Sequence, residues 1–237
     1  MKNPRSLYHG HRFPKEIISH CVWLYYRFSL SYRDVQEMMA ERGVVVSHEA
    51  IRSWCDKFGR EYSRRLRRQS GRLGDTWHLD EVFVRIGGQQ QYLWRAVDQE
   101  GNVLDILVQA RRDKKAAARF FRRLLSGAGY APRVVVTDGL ASYREPCARL
   151  VSGALHVRDK WANNRAENSH QPTRIRERQM KGFKSVKQAQ KFLSIFSQVG
   201  DLFRICRHGI KAVSFRNLLA CRFETWRQVT QVVSIAA

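Results

Sequence analysis

Near the start of the chain, apolar residues recur at helical spacing in three successive stretches. Within 15–28, Ile17, Ile18, Cys21, Val22, Leu24 and Tyr25 mark one buried face. From Ser31, the run SYRDVQEMMAERG offers a capping serine three residues before Asp34, then apolar Val35, Met38 and Met39, then Gly43 as a stop. After Val44, Val45 and Val46, Ser47 can cap HEAIRSWCDKF, where Ala50, Ile51, Trp54, Cys55 and Phe58 repeat at spacings of three and four. Two helices joined by a tight glycine-containing turn, with a third before them, predict a helix-turn-helix. The first residues of its second helix, His48, Glu49, Arg52 and Ser53, are those that face base edges in such a unit. A small helical bundle that touches no DNA fits the same pattern.

Beyond residue 75 the period changes. TWHLDEVFVRI at 76–86 is rich in β-branched and aromatic residues, Gly87-Gly88 supplies a hairpin turn, and QYLWRAVD pairs back. NVLDILVQ then makes a third antiparallel strand. Asp113 opens a helix through KKAAARFFRRLLSG, 133–137 is a short valine strand of the buried parallel kind, and a helix follows over 141–150. A brief apolar piece at 154–157 and a helix beginning near Asn163 complete the order βββαβαβα. That order predicts an α/β, ribonuclease-H-like mixed sheet with helices on its faces.

Three acids stand where this topology can unite them. Asp80 lies within the first strand, Asp138 directly follows the valine strand, and Glu167 falls in the first turn of the last helix. Ligands of open α/β sheets bind beyond the carboxyl ends of the parallel strands, which is where Asp138 must lie. Hard oxygen donors there suit Mg²⁺ or Mn²⁺, and two ions about 3.5–4 Å apart serve in-line phosphoryl displacement. Each acid also has a plainer reading. Asp138 before Gly139 can shape a turn, and Glu167, three residues after Asn164, can complete a capping box. In the strand, Glu81 is an alternative to Asp80, although a carboxylate among Trp77, Leu79, Val82, Phe83 and Val84 is costly to bury unpaired.

Charge sharpens the picture. Lys and Arg number 43 against 21 Asp and Glu, a net charge of +22. Positions 1–74 carry 15 basic and 7 acidic residues, 75–160 carry 14 and 10, and 161–237 carry 14 and 4, so a nearly balanced middle is flanked by two basic segments. Such flanks predict a polyanionic partner, double-stranded DNA in view of the helix-turn-helix. Arg64, Arg65, Arg67, Arg68 and Arg72 form a basic linker placed to meet phosphates. Further on, Arg174, Arg176, Arg178, Lys181, Lys184, Lys187 and Lys191 either line the DNA approach or form one solvated helix face. Ala189, Phe192, Leu193, Phe196, Val199, Leu202 and Phe203 read as a core stripe or a dimer surface. Cysteines at 21, 55, 147, 206 and 221 form no C-x-x-C pair, which favours a reducing cytoplasm over a disulfide scaffold or zinc finger. The opening MKNPRSLYHGHRF has no apolar signal core and no run is long enough for a membrane span.

Taken together, SYRDVQEMMAERG, WHLDEVFVRIGG with YLWRAVD, the TDG at 137–139 followed by Tyr143, NNRAENSH and MKGFKS resemble insertion-sequence transposases of the IS6 type, which carry an acidic-triad (DDE) integrase core. The resemblance covers nearly the whole chain. It implies that Asp80, Asp138 and Glu167 are the metal-binding triad, with two Mg²⁺ or Mn²⁺ ions, and that His170 and Arg174 share the face of Glu167 and contact DNA. It also implies binding of terminal inverted repeats and target DNA, strand cleavage and joining, a homodimer or higher oligomer that synapses two ends, and a nucleoid-associated bacterial protein. Pro172 falls inside the expected final helix, where it removes a hydrogen bond and kinks the chain. The expected organisation is a helix-turn-helix domain with basic linker at 1–72, a catalytic core at 73–184 and a C-terminal helical region at 185–237. A helix-turn-helix regulator with an inactive α/β domain is the competing reading.

Overall fold

The structure is a computed structural model that describes residues 6–205 and 208–232. The chain divides into two compact units, one of residues up to Gln69 and from Gln198 on, the other of Ser70–Ser197.

In the first unit, α1 (Lys15–Arg27), α2 (Tyr32–Glu41) and α3 (His48–Gln69) pack against one another as a three-helix group. The capping box forms as expected: the Asp34 amide donates to Ser31 Oγ, and the Ser31 amide donates to Asp34 Oδ2. Gly43, at φ +73°, provides the left-handed residue that ends α2. The third helix is longer than expected. Phe58, Tyr62 and Leu66 carry its apolar stripe onward at intervals of four, so Arg64, Arg65, Arg67 and Arg68 lie on helix α3 and not in a linker. Glu61 binds Arg64 and Arg65 at 2.7 Å each, at i+3 and i+4. Also in this unit, α9 (Ala212–Thr230) sets Trp226 against Tyr62, and its Val229 carbonyl accepts from Arg65 Nη1 at 2.9 Å.

The second unit is built on a five-stranded sheet of order β3-β2-β1-β4-β5. β1 (Thr76–Ile86), β2 (Gln89–Val97) and β3 (Val103–Gln109) form the antiparallel meander, while β4 (Val134–Thr137) and β5 (Leu155–Arg158) run parallel to β1. α4 (Lys114–Ala128) and α5 (Ala141–Leu150) make the crossovers, giving the α/β, ribonuclease-H-like mixed sheet. Alternation sorts the central strand. Trp77 and Leu79, with Trp94 and Ala96 of β2 on the same side of the sheet, face α4 and α5 and pack with Phe120, Phe121 and Tyr143 in a fully buried core. Burying each such aromatic contributes roughly 2–3 kcal/mol. The intervening His78, Asp80, Arg95 and Val97 leave by the other face.

The helix expected from Asn163 is divided into α6 (Asn164–Ser169) and α7 (Gln171–Gln179). Pro172 lies in the first turn of α7, where its missing amide costs nothing, so the chain breaks at His170 instead of kinking inside one helix. After α7, Lys181 at φ +54° and Gly182 at φ +84° turn the chain. There Phe183 bridges Ile86 and its carbonyl accepts from the Gly87 amide at 3.0 Å. α8 (Val186–Leu202) covers the free edge of β3: Gln190 accepts from the Val108 amide at 2.8 Å and donates to the Ile106 carbonyl at 3.1 Å, standing in for a further strand. Ala189, Phe192, Leu193 and Val199 of its stripe are buried. Among the described residues no helix is long and apolar enough to cross a membrane. Cys21, Cys55 and Cys147 are buried and Cys221 is exposed, and Cys206 lies outside the described residues.

Candidate active site

Asp80 sits midway along β1, directly opposite Arg95 of β2. Its carboxyl is nearly buried, and burial together with the charges of Glu81, Asp138 and Glu167 pushes its pKa up to about 7. The charges of Asp138 and Glu167 thus reach Asp80. They are not drawn into a closed set: among the described residues, no three His, Cys, Asp or Glu side chains stand ready around a single ion. Glu167 is on the exposed side of α6, where its long side chain has freedom to turn.

Glu81 behaves differently, because adjacent strand residues point to opposite faces. Its carboxylate is fully buried on the α4–α5 side, where Arg112 Nε donates to it at 2.7 Å and the Tyr143 hydroxyl donates through a short hydrogen bond. Burial still raises its pKa, against the opposing pull of Tyr143 and Arg112. The same surroundings push the Tyr143 hydroxyl well up, burial first. This acid is thus held as a structural anchor between β1, α5 and the segment before α4.

Asp138 follows β4 and its Oδ1 accepts from the Leu140 amide at 3.0 Å, so it does shape the turn that starts α5. Gly139, at φ +92°, supplies the backbone conformation that turn needs. One oxygen of Asp138 is so engaged. The capping box proposed for Glu167 is not formed: Asn163 is the N-cap and makes no side-chain cap bond. Its Nδ2 donates instead to the Leu79 carbonyl at 2.8 Å, tying the start of α6 to the strand residue beside Asp80.

Two residues expected to meet DNA are interior. His170 is 1% exposed, with Nε2 3.4 Å from Asp80 Oδ2. Burial, with Arg95 and Arg174 nearby, holds its pKa well below the ordinary value, so a neutral imidazole and not an imidazolium faces Asp80. Arg176 is 2% exposed, its guanidinium 5.6 Å from the centroid of the Phe192 ring. One continuous helix after Asn163 predicts His170 on the face of Glu167, and the run of basic residues predicts Arg176 along the DNA approach. The break at His170 resets the phase, and these side chains turn inward. Arg174, Arg178, Lys181 and Lys184 are exposed, Arg174 over the Phe83 ring at 5.8 Å. Exposed Arg158, Lys160 and Arg165 belong to the same stretch, as does Trp161, which is 80% exposed.

In the helical unit, Glu49, Arg52 and Ser53 are exposed on α3, with Arg52 paired to Glu49 at 2.7 Å. His48 is half-buried; its amide donates to Gln36 Oε1 at 2.8 Å and fixes the start of α3 to α2. Arg64 and Arg65 are engaged by Glu61, while Arg67 and Arg68 are exposed.

Residues 74–205 match the model of the DDE domain family of IS240-type transposases. Over 209 residues the chain is 30% identical to the transposase for insertion sequence-like element IS431mec of Staphylococcus aureus, covering 86% of this chain and 92% of that protein. The same figures hold for the Staphylococcus aureus transposase for insertion sequence element IS257 in transposon Tn4003. The chain belongs to the IS6-type DDE transposases. It is therefore an insertion-sequence transposase, in the class of polynucleotidyl transferases acting on DNA. Among solved structures, a chain of the simian T-cell lymphotropic virus intasome in complex with PP2A regulatory subunit B56 gamma aligns with a TM-score of 0.42 and 12% identity, over 70% of this chain and 58% of that one.

Sequence reading did not single out Arg95 or Asn163, whose side chains hold the surroundings of Asp80. For Arg95 a signal was present: a cation inside the apolar run YLWRAV is as costly to bury as Asp80, and asks the same question of what it binds.

Proposed function

We propose that the α6 face of the sheet is the catalytic centre of this transposase, with Asp80, Asp138 and Glu167 as its metal-binding acids. The observation that carries this reading is the carboxyl of Asp80, buried, pushed up to about 7 by burial and then by neighbouring carboxylates, with a backbone hydrogen bond at Glu81 as its opposing pull, and facing a neutral imidazole in His170. Such a group is poorly served by the protein alone, and a divalent cation relieves it. The donor set fits: carboxylate oxygens are the ligands Mg²⁺ and Mn²⁺ prefer. Asp80 and Asp138 would hold such ions from the sheet, and Glu167 would complete the set by rotating its exposed side chain. When bound, a pair of divalent ions supplies activation of an attacking hydroxyl and charge stabilisation at the departing oxygen.

This chain's own residues bind and orient the DNA. Arg174, Arg178, Lys181 and Lys184, with Arg158, Lys160 and Arg165, offer exposed cations for phosphates, and Trp161 offers an exposed ring for stacking on a base. The start of α3, with Glu49, Arg52 and Ser53, reads the terminal inverted repeats, and Arg67 and Arg68 grip flanking phosphates. The 3′ hydroxyl of the cleaved DNA is itself the attacking group, so no covalent protein intermediate is required, and two copies or more bring two ends together.

A strand-transfer assay on end-bearing DNA, scored for joined and not merely nicked product, tests the reading. Joined product should need Mg²⁺ or Mn²⁺ and vanish in Asp80→Asn, Asp138→Asn and Glu167→Gln, with end binding retained. Undiminished joining in any of the three removes that residue from the set, and joining in a chelator ends the proposal.

A further inference from the structure

We propose that Arg95 is a positioning residue for strand transfer, holding the short helix that carries Glu167 in register with the strand that carries Asp80. The proposal rests on the reading of Asp80 and Glu167 as partners at one site.

Arg95 and Asp80 are cross-strand neighbours on β2 and β1, so their side chains leave the same face of the sheet. Arg95 is 3% exposed. Its Nη1 donates through a short hydrogen bond to the carbonyl of Ser169, the last residue of α6, and its Nη2 donates to Thr173 Oγ1 of α7 at 2.6 Å. One guanidinium therefore spans the break between the two helices. Within that break lies His170, buried against Asp80. The opposite end of α6 is held by Asn163 on the Leu79 carbonyl. A helix of six residues has almost no stability of its own and takes its direction from whatever fixes its ends. Both ends of α6 are fixed to the strands on either side of the Asp80 ladder position, and neither attachment uses Glu167.

Arginine is the residue this task requires. Its rigid, planar fork offers several donors and reaches two acceptors at once, whereas lysine presents a single nitrogen. Leu93, Trp94, Ala96 and Val97 beside it are all buried, and an apolar residue at 95 would avoid the desolvation of a cation. Displacing a reacting constellation by about 1 Å is enough to lower a rate by about 100-fold. What Arg95 contributes on this account is the placement of Glu167, with stability secondary.

The test compares Arg95→Lys with Thr173→Val and Asn163→Ala, each measured for end binding, melting temperature, strand-transfer kcat and the Mg²⁺ concentration giving half the maximal rate. Arg95→Lys should lower kcat by about 100-fold and raise the Mg²⁺ requirement, with end affinity unchanged. Thr173→Val and Asn163→Ala, which keep the cation and remove one bond each, should lower kcat by roughly 10-fold with the same signature, and they carry the test where Arg95→Lys folds poorly. Wild-type kcat and Mg²⁺ requirement in all three overturn the proposal, as does a loss of kcat that only follows a loss of end binding and melting temperature. Glu167→Gln is run alongside. If it is inactive while the three variants are normal, the positioning role fails alone; if it is fully active, the assignment of Glu167 fails and the positioning role with it.

Discussion

Asp80 and Glu81 are neighbours on one strand, both buried, yet the two faces of the sheet treat them in opposite ways. On the α4–α5 face, Glu81 is closed in by Arg112 and Tyr143, with both oxygens bonded. On the α6–α7 face, Asp80 meets a neutral His170 and the fields of Asp138 and Glu167. One face solves the problem of a buried acid with protein groups; the other leaves it unsolved. Unsolved burial of this kind marks where a protein gives up stability for function, and it assigns different roles to two residues that sequence spacing alone treats as equivalent.

The sharpest way to break this comparison is to neutralise each acid in turn. Asp80→Asn should reduce strand transfer by about 1,000-fold or more, since it removes an oxygen donor needed only by the reaction, while the metal-free protein keeps or gains stability. Glu81→Gln should do the reverse, costing about 2 kcal/mol of unfolding free energy by loosening Arg112 and Tyr143, with strand transfer falling far less. Urea melts and a joining assay on both proteins separate the two patterns. Matching losses of activity would erase the distinction.

A pH titration sharpens it further. The folded-state pKa of Asp80 is raised from its ordinary 3.8 to about 7, so the folded protein holds a proton that the unfolded chain has already released. The stability this lends is fully present below the ordinary value and is lost as pH rises through about 7. In EDTA, wild-type protein should therefore lose more stability between pH 5 and pH 8 than Asp80→Asn does. Adding Mg²⁺ at pH 8 should restore melting temperature in wild type and not in the variant. Equal pH slopes in the two proteins would contradict the assignment of strain to Asp80.

The smallest expected effect concerns the cations of α7. Arg178→Gln should weaken DNA binding uniformly across sequences and reduce the slope of log affinity against log salt by about 1, because the side chain is exposed and, in the proposed function, meets a phosphate. Arg176→Met should leave that slope unchanged, because Arg176 is interior. Equal salt slopes in both variants would undo the division between buried and exposed arginines.

Much of the fold was legible because local signals agreed with one another. β-branched and aromatic residues marked β1 over Thr76–Ile86, Ser31 and Asp113 announced their helices, and the order of elements dictated the mixed sheet. Three things were hidden. Period-two alternation separates Asp80 from Glu81, yet nothing local says which face receives α6; that follows from long-range packing such as the bond from Asn163 to Leu79. The helix break at His170 was likewise misjudged, because Pro172 read as a kink within one helix instead of the first turn of a second. That phase puts buried His170 on the expected DNA face, whereas buried Arg176 was expected there from the run of basic residues around it. The continuation of α3 through its arginines was obscured by their charge, although Phe58, Tyr62 and Leu66 carried the period onward.

The most direct measurement of the central claim replaces Mg²⁺ with Fe²⁺ and maps where hydroxyl radicals generated at the bound ion cut the polypeptide. Cuts clustered at Asp80, Asp138 and Glu167, suppressed by excess Mg²⁺ and lost in Asp80→Asn, are the predicted result. Cuts that avoid these positions, or a pattern that persists unchanged in Asp80→Asn, would contradict it.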